Sequence, residues 1–212
     1  MSEPPPGEDV TRGTERLEAF SDAVMAVIIT LLAFGLKPPE GTSYAALTSR
    51  KELATFGVYV LSFVLVAIYW NNHHHLLRAT TRISGAVMWA NMLLLFWLSL
   101  VPVATQWFRT PGDQSTPVAA FGVVELGAAV AYGALVRSII RANGRASLVG
   151  VAIGSDRKGY ASIALYAAGI AFASVEVWVS WALYAIVAVI WLVPDRRIAR
   201  AAAGDDRGRA GR

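Results

Sequence analysis

Gly159–Pro194, GYASIALYAAGIAFASVEVWVSWALYAIVAVIWLVP, carries a single charge, Glu176, in 36 residues. A helix needs about 20 mostly apolar residues to cross a bilayer. The stretch therefore holds either two short crossings with a tight turn near Glu176, or one long helix and a loop. Charge placement favours two, because basic residues collect on the cytoplasmic side of a membrane protein. With two crossings, the N-terminal Arg12 and Arg16, the pair Arg78 and Arg82, the loop from Arg137 to Lys158 and the tail from Arg196 to Arg212 all share one side. That side then holds 15 of the 19 Lys and Arg residues. With one crossing, the six-arginine tail would face outward, against the rule.

Four more apolar stretches precede it: Ala23–Leu36, Leu53–Leu77, Ile83–Phe108 and Gln114–Val136, the last interrupted only by Glu125. The expectation is an all-α, polytopic membrane protein with six helices over approximately 16–36, 52–77, 83–108, 116–140, 158–175 and 177–194, and both termini cytoplasmic. Lys37-Pro38-Pro39 stops the first helix, since proline cannot continue it. Pro111-Gly112-Asp113 is a turn between the third and fourth. Trp70, Trp107 and Tyr160 sit near expected helix ends, as an interfacial belt would place them. The six helices form one domain over 15–195, with a disordered arm over 1–14 and a basic disordered tail over 196–212. Glu3, Glu8, Asp9 and Glu15 before the first span argue against a cleaved signal peptide, which wants a basic start.

Composition agrees. Of 212 residues, 55% are hydrophobic and 16% charged, where a soluble domain carries about 25% charged. The absence of cysteine excludes disulfides, thiolate metal sites and a cysteine nucleophile. The chain lacks a Walker loop, a dinucleotide glycine fingerprint, His-Glu-x-x-His and Gly-x-Ser-x-Gly, so no enzyme, cofactor or nucleic-acid partner is expected. The potassium-channel filter Thr-Val-Gly-Tyr-Gly is also missing.

Several polar residues lie where a membrane makes them costly. Asp22 at the start of the first span should have a partner, or else serves as a helix cap. His73-His74-His75 cannot converge on one metal ion from a single helix, because successive residues point about 100° apart. One of them is expected to face the bundle near Ser21 and Asp22, at the depth of Asn91 on the third span. Glu125 is read either as a functional carboxylate or as a hydrogen-bonded acid between helices. Val27, Leu31 and Phe34, at i, i+4 and i+7, form a stripe. Ordinary packing explains it, and so do apolar rings closing a pore by dewetting.

Arg16-x-x-x-Phe20-Ser21-Asp22 resembles the signature opening the first helix of the endolysosomal potassium channel family called transmembrane protein 175. Trp70-Asn71-Asn72-His73-His74-His75 and Trp89-Ala90-Asn91 resemble the polar ends of that family's second and third helices. A single six-span repeat resembles the bacterial branch; animal members carry two. The resemblance implies a homotetramer in the bacterial inner membrane, with a potassium-selective pore lined by the first helix and potassium as the permeant ion. It places Val27, Leu31 and Phe34 at apolar pore layers and Thr30 at a pore-side hydroxyl. This sequence has Val27 and Phe34 where isoleucine and leucine are usual. It also implies that Arg16, Phe20, Ser21, Asp22, His74, Trp89 and Asn91 form a structural hydrogen-bond network holding the pore helices. Two other functions fit the sequence: a proton-coupled transporter using Glu125, and a non-conducting membrane scaffold.

Overall fold

The computed structural model describes residues 8–39, 41, 43–153 and 156–192. Among them every regular element is helical: α1 (Glu8–Phe34), α2 (Tyr44–Leu47), α3 (Arg50–Arg78), α4 (Gly85–Ser99), α5 (Val101–Trp107), α6 (Ser115–Asn143), α7 (Leu148–Ile153), α8 (Arg157–Phe172) and α9 (Val177–Leu192). Four helical stretches are long and apolar enough to cross a membrane: Gly13–Phe34, Arg50–Arg78, Gly85–Trp107 and Ser115–Asn143. The stretch 159–194 is divided between α8 and α9, which break at 173–176; each has 16 residues, or about 24 Å at 1.5 Å per residue.

The fold departs from the expectation in three places. The arm expected to be disordered over 1–14 is helical from Glu8 onward. Residues 1–7 and the tail 196–212 lie outside the described residues. The third span is not one uninterrupted helix. Pro102, near the start of α5, lacks an amide hydrogen and crowds the carbonyl four residues back, and α4 gives way to α5 at Leu100. The loops also carry two unexpected short helices, α2 and α7; Ser43 Oγ caps α2 by accepting from the Ala46 amide.

Local signals set the other boundaries. Ser49 and Ser84 side chains accept from the amides of Glu52 and Val87 to start α3 and α4, supplying partners that the first turn of a helix lacks. Before α6, Asp113 accepts from both the amide and the hydroxyl of Ser115, and these bonds hold its carboxyl below the usual carboxylate range. α6 ends at Gly144, whose φ of 90° is strained for a residue with a side chain. Its last residue, Asn143, clamps the α3–α4 loop by accepting from the Thr81 and Arg82 amides.

α6 is the most covered of the four long helices, and α1 and α3 are the least. α6 packs most extensively against α4 and α8. Three glycines permit close contacts among α4, α6, α8 and α9. A Cβ on Gly127 would strike the Trp97 indole of α4, one on Gly122 would meet Tyr184 and Ile170, and one on Gly169 would meet Tyr184. Gly133, on the same helix as Gly122 and Gly127, meets only the Arg137 side chain of that helix. Hydrogen bonds tie the layers as well: the buried pairs Ser62 to Thr105 at 2.8 Å and Ser180 Oγ to the Gly169 carbonyl at 2.7 Å, and the partly buried Trp191 Nε1 to Ser162 Oγ at 2.8 Å.

Gly127→Val is expected to destabilise the fold by about 1–3 kcal/mol or more, because a large aromatic ring must move out of a packed core. Gly57→Ala in α3 is its control. Nothing lies near that Cβ, and alanine favours a helix over glycine by about 1 kcal/mol. Thermal melting of both variants in detergent checks the pair: Gly127→Val melts lower than the parent, Gly57→Ala the same or higher.

Candidate functional site

α1 has two apolar faces. Met25, Ile28 and Leu32 are fully or almost fully buried against the bundle, where α1 meets α3, α4 and α5. Val27, Leu31 and Phe34 are exposed, at 56%, 45% and 85%. At about 100° per residue, they share an arc with Phe20, Ala19, Ala23, Ala26, Thr30 and Ala33, all exposed. The arc covers roughly 160° of the helix circumference. Thr30 is exposed on it, and its Oγ1 donates to the Val27 carbonyl at 2.8 Å. That bond uses the hydroxyl hydrogen and leaves an oxygen lone pair free.

Two sets of polar contacts pin α1. The first is a buried chain across three helices. His73 Nε2 of α3 lies 2.7 Å from Asn91 Oδ1 of α4, and Asn91 Nδ2 donates to Ser21 Oγ of α1 at 3.0 Å. Ser21 in turn donates to the Leu17 carbonyl. An amide oxygen only accepts, so His73 Nε2 carries the hydrogen and every bond in the chain runs the same way. Ser21, His73 and Asn91 are all fully buried.

The second set lies half-exposed between α1 and α3. Trp70 Nε1 donates to Asp22 Oδ1 at 3.0 Å, and His74 Nδ1 lies 2.7 Å from Glu18 Oε1. Residues four apart on a helix stand one above the other, so Glu18 and Asp22 face Trp70 and His74 as two rungs. The Trp70 and His74 rings stack at 6.0 Å.

The structure thus corrects the expected network. His73, not His74, joins Ser21 and Asn91; His74 points about 100° away, toward Glu18. The side chains of Arg16, Phe20 and Trp89 are exposed and make no hydrogen bond among the described residues. Arg16 and Phe20 fall on the bare arc of α1, and Trp89 faces away from buried Val87, Ala90 and Asn91. The sequence does not single out Glu18, and it reads Trp70 as an interfacial residue rather than as a donor to Asp22. His73 had a signal: it follows Ser62 and Val66 at helical spacing and precedes Leu76 and Leu77, all on the buried face of α3.

Glu125 is fully buried in α6. Its Oε2 accepts from the Tyr166 hydroxyl of α8 at a long 3.5 Å, and Oε1 has no hydrogen-bond partner among the described residues. Tyr166 also lines a cavity of about 70 Å³ with Tyr69, Asn72, Tyr132 and Trp191.

These features describe an all-α polytopic membrane protein whose first helix is held by polar contacts on one side and left bare on the other. Residues 16–102 match the family described as endosomal/lysosomal potassium channel TMEM175. A potassium channel of Chryseobacterium sp. (strain P1-3) is 46% identical over 189 residues, which is 89% of this chain and 96% of that one. A potassium channel of Streptomyces collinus is 32% identical over 126 residues, covering 57% of this chain and 61% of the relative. The crystal structure of a lysosomal potassium-selective channel TMEM175 homolog from Chamaesiphon minutus shares the fold, with a TM-score of 0.68 at 21% identity over 87% of this chain and 98% of that one. The chain belongs to the TMEM175 family. The family and these relatives are named as ion channels, not enzymes.

Proposed function

We propose that the protein is a potassium-selective cation channel of the bacterial inner membrane. Four copies surround a pore lined by the bare arc of α1. Six helices of each chain cross the membrane, with both termini in the cytoplasm. The six-helix domain runs over 15–195, and a basic tail follows it. The names of the relatives support potassium as the permeant ion, and no cofactor is required.

The observation that carries this reading is the character of the α1 arc. The exposed faces of α3, α4 and α9 carry bulky side chains: Phe56 and Phe63 on α3, Met88, Met92 and Phe96 on α4, Trp178 on α9. Such side chains suit lipid. The α1 arc instead alternates Val27, Leu31 and Phe34 with Ala19, Ala23, Ala26, Thr30 and Ala33. Small residues let helices approach closely, so four copies of this arc can close around an axis. Val27, Leu31 and Phe34 then form stacked apolar rings that gate by excluding water. Thr30 offers its oxygen to an ion stripped of part of its shell, and potassium sheds water at lower cost than sodium. Arg16, Phe20 and Trp89, bare in one chain, find partners on neighbouring copies. Ser21, Asp22, His73, His74 and Asn91 hold α1 in place and do not touch the ion.

Flux of potassium and of sodium into liposomes holding the purified protein tests this, with Glu125→Gln alongside. Potassium flux exceeding sodium flux, unchanged in Glu125→Gln, is the expected result. Flux abolished in Glu125→Gln would favour the transporter, whose substrate proton the buried carboxyl carries. No flux of either ion from a folded oligomer would overturn the channel and leave the scaffold.

A further inference from the structure

We infer that Glu18, Asp22 and His74 form a binding site for a divalent transition-metal ion, with Zn²⁺ as the best-fitting case, that ties α1 to α3. One ligand atom from each lies within 4.8 Å of those of the other two. Three protein ligands and a water complete a tetrahedral zinc sphere, in which neighbouring ligands stand about 3.3 Å apart for bonds of about 2.0 Å. The side-chain adjustment needed is therefore small.

Three features separate this cluster from an ordinary surface ion pair. The His74 Nδ1 atom is covered from solvent and lies 2.7 Å from Glu18 Oε1, yet its approach lacks hydrogen-bond geometry. Two groups that aim at a common point between them, rather than at each other, have this relation. The ligands are also oriented from outside the cluster: the Trp70 indole holds Asp22 Oδ1 and its ring stacks on His74. That leaves Asp22 Oδ2 free to ligate, and such supporting contacts fix a metal site's geometry. Finally, the two carboxylates are i and i+4 neighbours, and among the described residues no lysine or arginine pairs with either.

The donor set selects the metal. One imidazole nitrogen with two carboxylate oxygens suits Zn²⁺ or its neighbours in the first transition row. Mg²⁺ prefers an all-oxygen octahedron and gives up its water reluctantly. His73 takes no part, since its Nε2 is committed to Asn91. Metal binding here does not depend on α1 lining a pore, because it is read on the protein and not as flux.

The test is calorimetric titration of Zn²⁺ into the full chain, without a histidine tag and stripped of metal with a chelator. One Zn²⁺ per chain is expected, with Mg²⁺ much weaker. Glu18→Gln and Asp22→Asn, which preserve size, and His74→Ala should each weaken Zn²⁺ binding at least tenfold, while His75→Ala binds as the parent does. Cobalt substituted for zinc should give the visible absorption of a tetrahedral site, and that absorption should be lost in Glu18→Gln. No Zn²⁺ binding to the folded parent would overturn the site. So would parent-like binding in Glu18→Gln and Asp22→Asn, or an equal loss in His75→Ala.

Discussion

Replacing Leu31 by asparagine is expected to raise potassium flux by at least about tenfold and to reduce the preference for potassium over sodium. In the proposed tetramer, four leucines form the middle apolar ring, and an ion crossing it cannot replace the water it leaves behind. Four amide groups supply both donors and acceptors at that point. A barrier lowered by only about 1.4 kcal/mol gives a tenfold faster passage. Fold stability should change little, because Leu31 is half exposed and the buried face of α1 is carried by Met25, Ile28 and Leu32. Liposome flux, compared at equal amounts of oligomer, reads the effect. Unchanged flux with parent-like melting would mean that Leu31 faces lipid, and the pore would have to be sought elsewhere.

The second large effect is on stability. Asn91→Leu should lower the melting temperature more than loss of the Trp70 hydrogen bond in Trp70→Phe. Interhelical hydrogen bonds in membranes contribute only about 0.6 kcal/mol on average. A buried group left without a partner costs about 1–3 kcal/mol, and this heavier penalty decides the outcome. His73 Nε2 loses its acceptor in Asn91→Leu, and His73 Nδ1 already has no hydrogen-bond partner among the described residues. Trp70 and Asp22 are partly exposed, so water replaces what their bond supplied. The double variant His73→Leu with Asn91→Leu removes both sides of the bond and should melt closer to the parent than Asn91→Leu alone. Parent-like melting of the single variant would mean that the buried chain contributes nothing to holding α1.

Much of the architecture is legible in the residues. Runs without charge mark the helices, and Pro38, Pro39, Pro111 and Gly112 fall between them. The turn near Glu176 separates α8 from α9 where charge placement asks for it. The need for partners was also legible, because a serine, an amide and a histidine at one depth in an apolar bundle must satisfy one another. Which histidine does so was harder to read, because α3 is apolar on nearly every side. Val60 and Phe63 are exposed while Leu65 and Val66 are buried.

The same difficulty governs α1. Met25, Ile28 and Leu32 make one apolar stripe at helical spacing, and Val27, Leu31 and Phe34 make another. In a water-soluble protein the polar face would tell them apart. In a membrane, lipid and protein interior are equally apolar, so hydropathy reports that a helix is inserted and not which way it faces. The amino-acid sequence therefore settled the long apolar stretches, where they approximately lie, and the presence of a costly polar cluster. Only the packing of α1 against α3, α4 and α5 decided which stripe is buried, which is bare, and that His73 reaches Asn91 while His74 turns to Glu18. Those outcomes depend on close contacts between helices distant in the chain.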